Sequence, residues 1–337
     1  MSTVLITGVA GLLGSHAADK FLSEGWNVVG VDNFVGGYRD NVPSRVDLRT
    51  ADCCDFERMK STMNETKPTV VLHAACTAYE GLSVFSPSLV FDNTASATVS
   101  VASAAIASGV QRFIQCSSMA RYGDQGGVQF TEDMTPKPQD PYGIAKYAAE
   151  QVLWNLSAVH GMEVVILVPH NIVGSRQRYD DPFRNVAAIM INRMLKGLQP
   201  IIYGDGQQTR SFSFVGDVVH PIWLSATTPN AVGEVINVGP DDNMITISEL
   251  AEIIAKLLNF ELKPIFMPGR PQEVKHASCS AKKAREILNY SAKIDLETGL
   301  LEMIDYIKSV GVKEFTYDHR IEILNEKTPR TWIDKII

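Results

Sequence analysis

Positive charge is scarce in this sequence: Lys and Arg number 31 against 38 Asp and Glu, leaving a net charge of -7 at pH 7. Nucleic-acid backbones are held by clustered Lys and Arg, so no nucleic-acid partner is expected. An anionic small ligand would need arginines gathered locally. Cysteine is sparse and unpatterned. Of the five, Cys53 and Cys54 are adjacent while Cys76, Cys116 and Cys279 are scattered, which yields neither a disulfide framework nor metal-ligand spacing. Buried thiols in a reducing compartment, and no metal, are expected. Met1-Ser2-Thr3 leads straight into a strand-like run that a glycine turn interrupts. No leader pattern or membrane span is read there, so a cytoplasmic protein with no membrane partner is expected. Low-complexity tracts, long charge runs and repeats of solenoid period are also missing.

What is present is ample apolar material. At 337 residues, 45% hydrophobic and 20% charged, the chain exceeds the usual size of one core, and two globular lobes are expected. Thr3-Val4-Leu5-Ile6-Thr7 reads as a fully buried strand, and Gly8-Val9-Ala10-Gly11-Leu12-Leu13-Gly14 follows before a helical pattern from Ser15 to Leu22. Glycines so placed let the backbone turn tightly against a pyrophosphate, whose charge then sits at the helix N-terminus. A second strand from Asn27 to Val31 ends in Asp32. There a carboxylate accepts the adenosine ribose hydroxyls and repels a 2′-phosphate, which favours NAD over NADP. Asp52 closes a third strand around Val46 to Ala51, and either caps the next helix or reaches the adenine edge.

The alternation continues. Val70 to Ala75 is a fourth strand in which His73 reads as a packed residue, and Arg112 to Cys116 is a fifth, with Ser117-Ser118-Met119-Ala120-Arg121-Tyr122-Gly123 at its carboxyl end. Glu163 to Val168 is a sixth, stopped by Pro169. Strand and helix in turn predict an α/β fold with a doubly wound parallel sheet, whose ligands lie at the carboxyl ends of the strands. Before the sixth strand stands Pro141-Tyr142-Gly143-Ile144-Ala145-Lys146, with Glu150 one turn on. On a helix Tyr142 and Lys146 share a face. An ammonium beside a phenol favours the phenolate, which would make the pair a general base; by spacing alone it could equally line an ordinary helix. Beyond Pro169 the pattern loosens: Arg184 to Lys196 and Ile247 to Leu258 read as helices, Ile201 to Arg210 carries hairpin-like turn residues, and Val235 to Gly239 reads as a strand returning to the main sheet. Glu314 to Ile337 has no legible pattern.

Taken together, Gly8-x-x-Gly11-x-x-Gly14, Asp32-Asn33, His73-Ala74-Ala75, Ser117-Ser118 with Tyr122-Gly123, Pro141-Tyr142-Gly143 with Lys146, Asn171-x-x-Gly174, and Tyr203-Gly204-Asp205-Gly206 with Arg210 resemble the extended short-chain dehydrogenase/reductase superfamily. Within it the resemblance is to the NAD-dependent sugar-nucleotide epimerases and dehydratases, and it runs from Thr3 to about Leu301. It implies a Rossmann domain over residues 1–169, regained at about 212–239, and a smaller nucleotide-sugar-binding α/β lobe over most of 170–337. It implies Ser118, Tyr142 and Lys146 as the catalytic set. Against NAD it places Gly8, Gly11, Leu12, Leu13, Gly14, Asp32, Asn33, Asp52, Cys53, Ala74, Ala75, Asn93, Ser117, Tyr142, Lys146 and Pro169. Against a nucleoside-diphosphate sugar, with UDP the expected nucleotide, it places Ser118, Met119, Tyr142, Asn171, Arg176, Tyr203, Arg210, Arg270 and Glu273. It also implies a homodimer.

The residues beside Ser118 bear on the reaction. The family's 4,6-dehydratases carry an Asp-Glu pair after the corresponding Thr, because eliminating water needs an acid and a base. Met119 and Ala120 can transfer no proton. A 4-epimerase needs only reversible oxidation and rotation of the 4-keto sugar, so C4 epimerisation is the expected activity. A dehydratase or 3,5-type epimerase using Glu80 is the alternative, and an NAD-sensing module the non-enzymatic one. Thr77 to Gly81 and His170 depart from simple hexose epimerases, and both are expected to lie toward the sugar.

Overall fold

The computed structural model describes residues 2–337 apart from Asn243 and Glu273. Its six N-terminal strands are β1 (Thr3–Thr7), β2 (Asn27–Asp32), β3 (Asp47–Thr50), β4 (Val70–His73), β5 (Arg112–Cys116) and β6 (Glu163–Pro169). The main sheet has seven strands, in the order Val235–Val238, β6, β5, β4, β1, β2, β3. Every pairing in it is parallel. From β1 the chain builds outward through β2 and β3, then crosses to β4 on the other side. The crevice at the carboxyl ends of β1 and β4 is therefore a topological switch point.

The helices of this body are α1 (Leu12–Ser23), α2 (Phe56–Thr66), α3 (Glu80–Ser83), α4 (Pro87–Phe91), α5 (Ala97–Ala107) and α6 (Pro141–His160). Further on come α7 (Val186–Leu195), α8 (Val215–Ser225) and α9 (Ile247–Leu258). Strand residues point alternately to the two faces of the sheet. Val4, Ile6, Ile114 and Leu167 pack with Ala17 and Phe21 of α1 and Val218 and Ile222 of α8. Leu5, Phe113 and Ile166 pack on the opposite face with Met59 of α2, Val101 of α5 and Leu153 of α6. Between α4 and α5 the residues Asp92–Ser96 form a π-helical turn, so helix runs from Pro87 to Ala107. By length and composition that run could cross a membrane, but half of its apolar window is buried inside this fold.

The second body is held by its own cluster, with Ile191 and Met194 of α7, Leu250 and Ile254 of α9, and Met303 and Ile307 of the helix Leu296–Val310. Among the described residues three small sheets accompany the main one. The turn-rich stretch after Pro200 is not a hairpin. Ile201–Tyr203 pairs with Ile265–Met267, whereas Thr209–Arg210 pairs with Ile245–Thr246 and His276–Ala277. Val235–Val238 returns to the main sheet beside β6.

The illegible tail is a strap across both bodies. Thr316 N donates to Asp180 O at 2.8 Å, and Ile323 N to Phe85 O at 2.8 Å. Trp332, 2% exposed, sits between Phe85 and Phe183 with ring centroids at 5.8 and 5.1 Å.

Candidate active site

One long cavity runs along the carboxyl ends of β1, β2, β4, β5 and β6 and continues into the second body. Its first stretch is a cradle of backbone. Gly8 has φ +71°, and a Cβ there would stand 2.8 Å from Ala75 N, so both conformation and space demand glycine. Gly11 caps α1 without any side-chain bond, which leaves the first N–H groups of α1 open toward Leu12, Leu13 and Gly14 in the cavity wall. That is anion-binding geometry. Asp32, 7% exposed, accepts from Ala10 N at 2.8 Å and Phe34 N at 2.7 Å. Burial pushes its pKa up while those two hydrogen bonds oppose the rise. A carboxylate fixed this way retains lone pairs for ribose hydroxyls.

Asp52 does not cap the next helix. Asp55 does, accepting from Arg58 N at 3.0 Å. Asp52 instead accepts from Asn33 Nδ2 at 3.1 Å and Cys54 N at 2.8 Å, and lines the cavity with Asn33 and Cys53. Ala74, Ala75, Asn93, Ser117 and Pro169 line it further in. Asn93 projects from the π-helical turn, a device that re-aims a side chain within a helix. Glycine cradle, open helix N-terminus and ribose-height carboxylate together fit a dinucleotide.

α6 brings in the reactive side chains. Asp140 caps it, accepting from Gly143 N at 3.0 Å, and Pro141 fills the first turn; Gly161 ends it at φ 74°. Tyr142 and Lys146 are both buried, 7% and 1% exposed, and both line the cavity. Lys146 does not touch the phenol. Its Nζ donates to Cys116 O at 2.6 Å and lies 5.9 Å from the Tyr142 ring centroid. The pKa of Tyr142 is accordingly raised well above the usual phenol value rather than lowered. Burial is the main cause, with Cys76, Glu80 and Asp140 adding to it and the Ser118 hydrogen bond opposing. Ser118 and Tyr142 both line the cavity, and Ser118 Oγ accepts from Ala120 N at 3.2 Å.

The second body closes the cavity. Asn171, at φ 43°, donates to Ser211 O at 3.0 Å. Tyr203 lies under the Arg270 guanidinium at 4.7 Å, and Arg210 donates to Thr209 O at 2.8 Å. Arg270 reaches across to the first body, where a Cβ on Gly81 would be 3.2 Å from its Nη1. Asn171, Tyr203, Arg210 and Arg270 all line the cavity, as do Thr77, Ala78, Glu80 and Gly81.

Three residues expected here lie elsewhere. Arg176 turns at φ 65° onto α1 and pairs with Asp19 at 2.6 Å. Met119 is half-buried against the core on the α2, α5 and α6 face of the sheet and is not among the residues of the cavity wall. His170 is buried with Nε2 2.9 Å from Pro240 O; burial lowers its pKa to about 4, against the opposing effect of that hydrogen bond. His73 is a packed residue between Thr7 and Thr98. Glu273 is outside the described residues. Conversely, Arg178, Phe183, Arg184, Asn185 and Ile337 line the cavity and were not anticipated. Asn185 had a legible signal, an Asn immediately before an amphipathic helix; it caps α7, accepting from Ala187 N at 2.9 Å. Ile337 had none.

Residues 4–239 match the model of the NAD dependent epimerase/dehydratase family. The UDP-glucose 4-epimerase of Mycolicibacterium smegmatis is 31% identical over 315 residues, covering 90% of this chain and 98% of that protein. The solved UDP-glucose 4-epimerase of Thermotoga maritima, with UDP-glucose, superposes with a TM-score of 0.85 at 30% identity over 91% of this chain and 99% of that one. The UDP-glucuronic acid 4-epimerase of Bacillus cereus, in complex with UDP-glucuronic acid and NAD, gives 0.84 at 27% identity over 92% and 100%.

Proposed function

The chain belongs to the NAD dependent epimerase/dehydratase family, and from that premise we propose that it inverts C4 of a UDP-sugar, with Ser118, Tyr142 and Lys146 at the reacting centre. The observation that carries this reading is that Ser118, Tyr142 and Lys146 line one cavity with the glycine cradle, while Met119 and Ala120 stand where the family's 4,6-dehydratases carry an acid and a base.

Residues of the first body, Gly8 to Gly14, Asp32 and Lys146 among them, hold NAD. Bound in its oxidised form, NAD supplies the acceptor for the C4 hydrogen with its electron pair, and a positive charge that opposes the effect of burial on Tyr142. Tyr142 takes the proton of the C4 hydroxyl, and Ser118 holds the same oxygen while the ketone forms. The 4-keto sugar turns its other face, and Tyr142 returns the proton as the C4 hydrogen is restored. Asn171, Tyr203, Arg210 and Arg270 hold the nucleoside diphosphate, arginine being suited to a dianion on an acidic protein. On this reading residues 1–169 are mainly the cofactor lobe and 170–337 mainly the substrate lobe.

Incubation with UDP-glucose, UDP-N-acetylglucosamine and their uronic relatives should give C4 epimers with no net NADH. A 4-keto or unsaturated product would refute the proposal. One observation favours a second reading: Glu80 lines the cavity and its charge is felt at Tyr142, as an additional base for a dehydratase or 3,5-type epimerase would be. Solvent deuterium appearing at C3, C5 or C6 would select that reading. A Tyr142→Phe protein should keep NAD and lose roughly 10²–10⁴-fold in turnover; unchanged cellular function in that variant would identify an NAD-sensing module instead. Exposed Phe91, Val99 and Ile144 on α4, α5 and α6 support a homodimer through these helices, to be checked by light scattering.

A further inference from the structure

A charged pair lies beneath the cofactor cavity and takes no part in the chemistry above. Glu150, on α6 one turn beyond Lys146, is fully buried and does not reach the cavity. One of its oxygens accepts the hydroxyl of Ser117 in a short hydrogen bond. Its other oxygen meets Arg121 Nη2 at 2.8 Å. Arg121 is 4% exposed and is flanked by the rings of Tyr122 and Tyr147 at 4.9 and 5.7 Å. Burying an arginine and a glutamate is costly even when they pair, so their use in place of apolar side chains calls for a reason.

The reason is visible at Ser117. Its main chain is pinned just past the carboxyl end of β5, N donating to Leu167 O at 2.7 Å, and it lines the cavity with Cys116, Lys146 and Tyr142. A serine hydroxyl has one proton and can face a ligand as donor or acceptor. Burial raises the Glu150 pKa, and the Arg121 guanidinium and the Ser117 hydroxyl oppose that rise; as the carboxylate partner of Arg121, Glu150 can only accept. The Ser117 proton is therefore drawn inward, and only oxygen lone pairs face the cavity.

We propose that Glu150, clamped by Arg121, is a positioning residue that sets the hydrogen-bond polarity of Ser117, so that Ser117 receives an N–H or O–H of the bound dinucleotide. This rests on the reading of the cavity as an NAD site. Glu150→Gln tests it with little change of shape. Arg121 demands an acceptor, so the glutamine oxygen turns toward it and the amide NH₂ turns toward Ser117. Ser117 must then accept from the amide and aim its own proton into the cavity, donor against donor.

The measurement is the NAD dissociation constant by titration calorimetry for wild type, Glu150→Gln, Ser117→Ala and the double variant. Glu150→Gln should weaken NAD binding about tenfold, the order expected for a mismatched buried polar group. In the Ser117→Ala background the same change should alter affinity by no more than about twofold. Equal weakening in both backgrounds, or none in either, would overturn the positioning role and leave Glu150 a structural residue. Should Glu150→Gln not fold, Ser117→Ala alone decides, since wild-type affinity in that variant also overturns the proposal. Wild-type protein that takes up no NAD would instead sink the cofactor reading on which it rests.

Discussion

His73 and His170 show how burial decides a residue's role. Both sit in or beside strands whose ends line the cavity, and either could pass for a catalyst by type alone. His73 Nδ1 meets Thr7 Oγ1 at 2.7 Å and its Nε2 meets Thr98 Oγ1 at 3.1 Å, so both ring nitrogens are spent on packing α5 against the sheet. Burial, with Lys146 adding, drives its pKa down to about 3, and burial drives that of His170 to about 4. Burial also lowers His16 and His319. The sign of the stability effect follows. In the unfolded chain these imidazoles take up protons near pH 6.5, whereas in the folded chain they do so only at lower pH. The unfolded state then binds more protons, and stability falls as pH falls. Carboxylates of ordinary pKa titrate below about pH 5, so the histidines lead the change between about pH 6.5 and 5. The melting temperature should fall steadily across that window in low-salt buffer. A flat profile would mean that these imidazoles are hydrated in solution.

Among the elements, α6 carries the proposed catalytic Tyr142 and Lys146, and its start is tightly specified. Asp140 is 3% exposed, caps the helix at Gly143 N, and receives the Ser83 hydroxyl at 3.3 Å. One carboxylate thus ties the first turn of α6 to α3 and sets where Tyr142 stands. Asp140→Ala should cost about 1 kcal/mol of stability in denaturant titration, with a loss of turnover larger than that of NAD affinity. Equal losses of both would show that the cap supports the fold and not the placement of Tyr142. This start was legible in the sequence, since Asp-Pro before an Ala-rich run is a helix signal. So was the cradle of α1, where strand, glycines, helix and Asp32 are close together in the chain. Arg176, Arg178 and Arg184 were not separable in the same way. They belong to one loop, and only its path, with Arg176 at φ 65°, sends the first onto Asp19 and the other two toward the cavity. The phenol's environment was also out of reach, because it depends on where the Lys146 side chain finds a carbonyl.

At the scale of the whole molecule, the two bodies meet through the strap from Lys313 to Ile337, whose sequence offers no period because each residue answers to a different partner. Lys313 N donates to Asn192 on α7 at 3.3 Å, Glu322 accepts from Ser88 N and Leu89 N at 3.0 and 2.9 Å on α4, and the Thr331 and Tyr203 hydroxyls hydrogen-bond at 2.5 Å. His319 Nε2 lies 2.9 Å from the hydroxyl of Tyr79, which also bonds Asp181. Phe183 and Ile337 belong to the cluster that Trp332 fills, and both line the cavity. Because Tyr142 belongs to that same cluster, the strap packs behind the part of the cavity proposed above to hold the sugar. Trp332→Ala removes the largest of its anchors and should cost roughly 3–5 kcal/mol, as buried aromatic truncations do. The more telling readout is functional: with the Phe183 wall loosened, KM for the nucleotide sugar should rise while the dissociation constant for NAD, bound at the other end of the cavity, stays near the wild-type value. If both constants move together, the strap stabilises the fold globally and does not act on the sugar end.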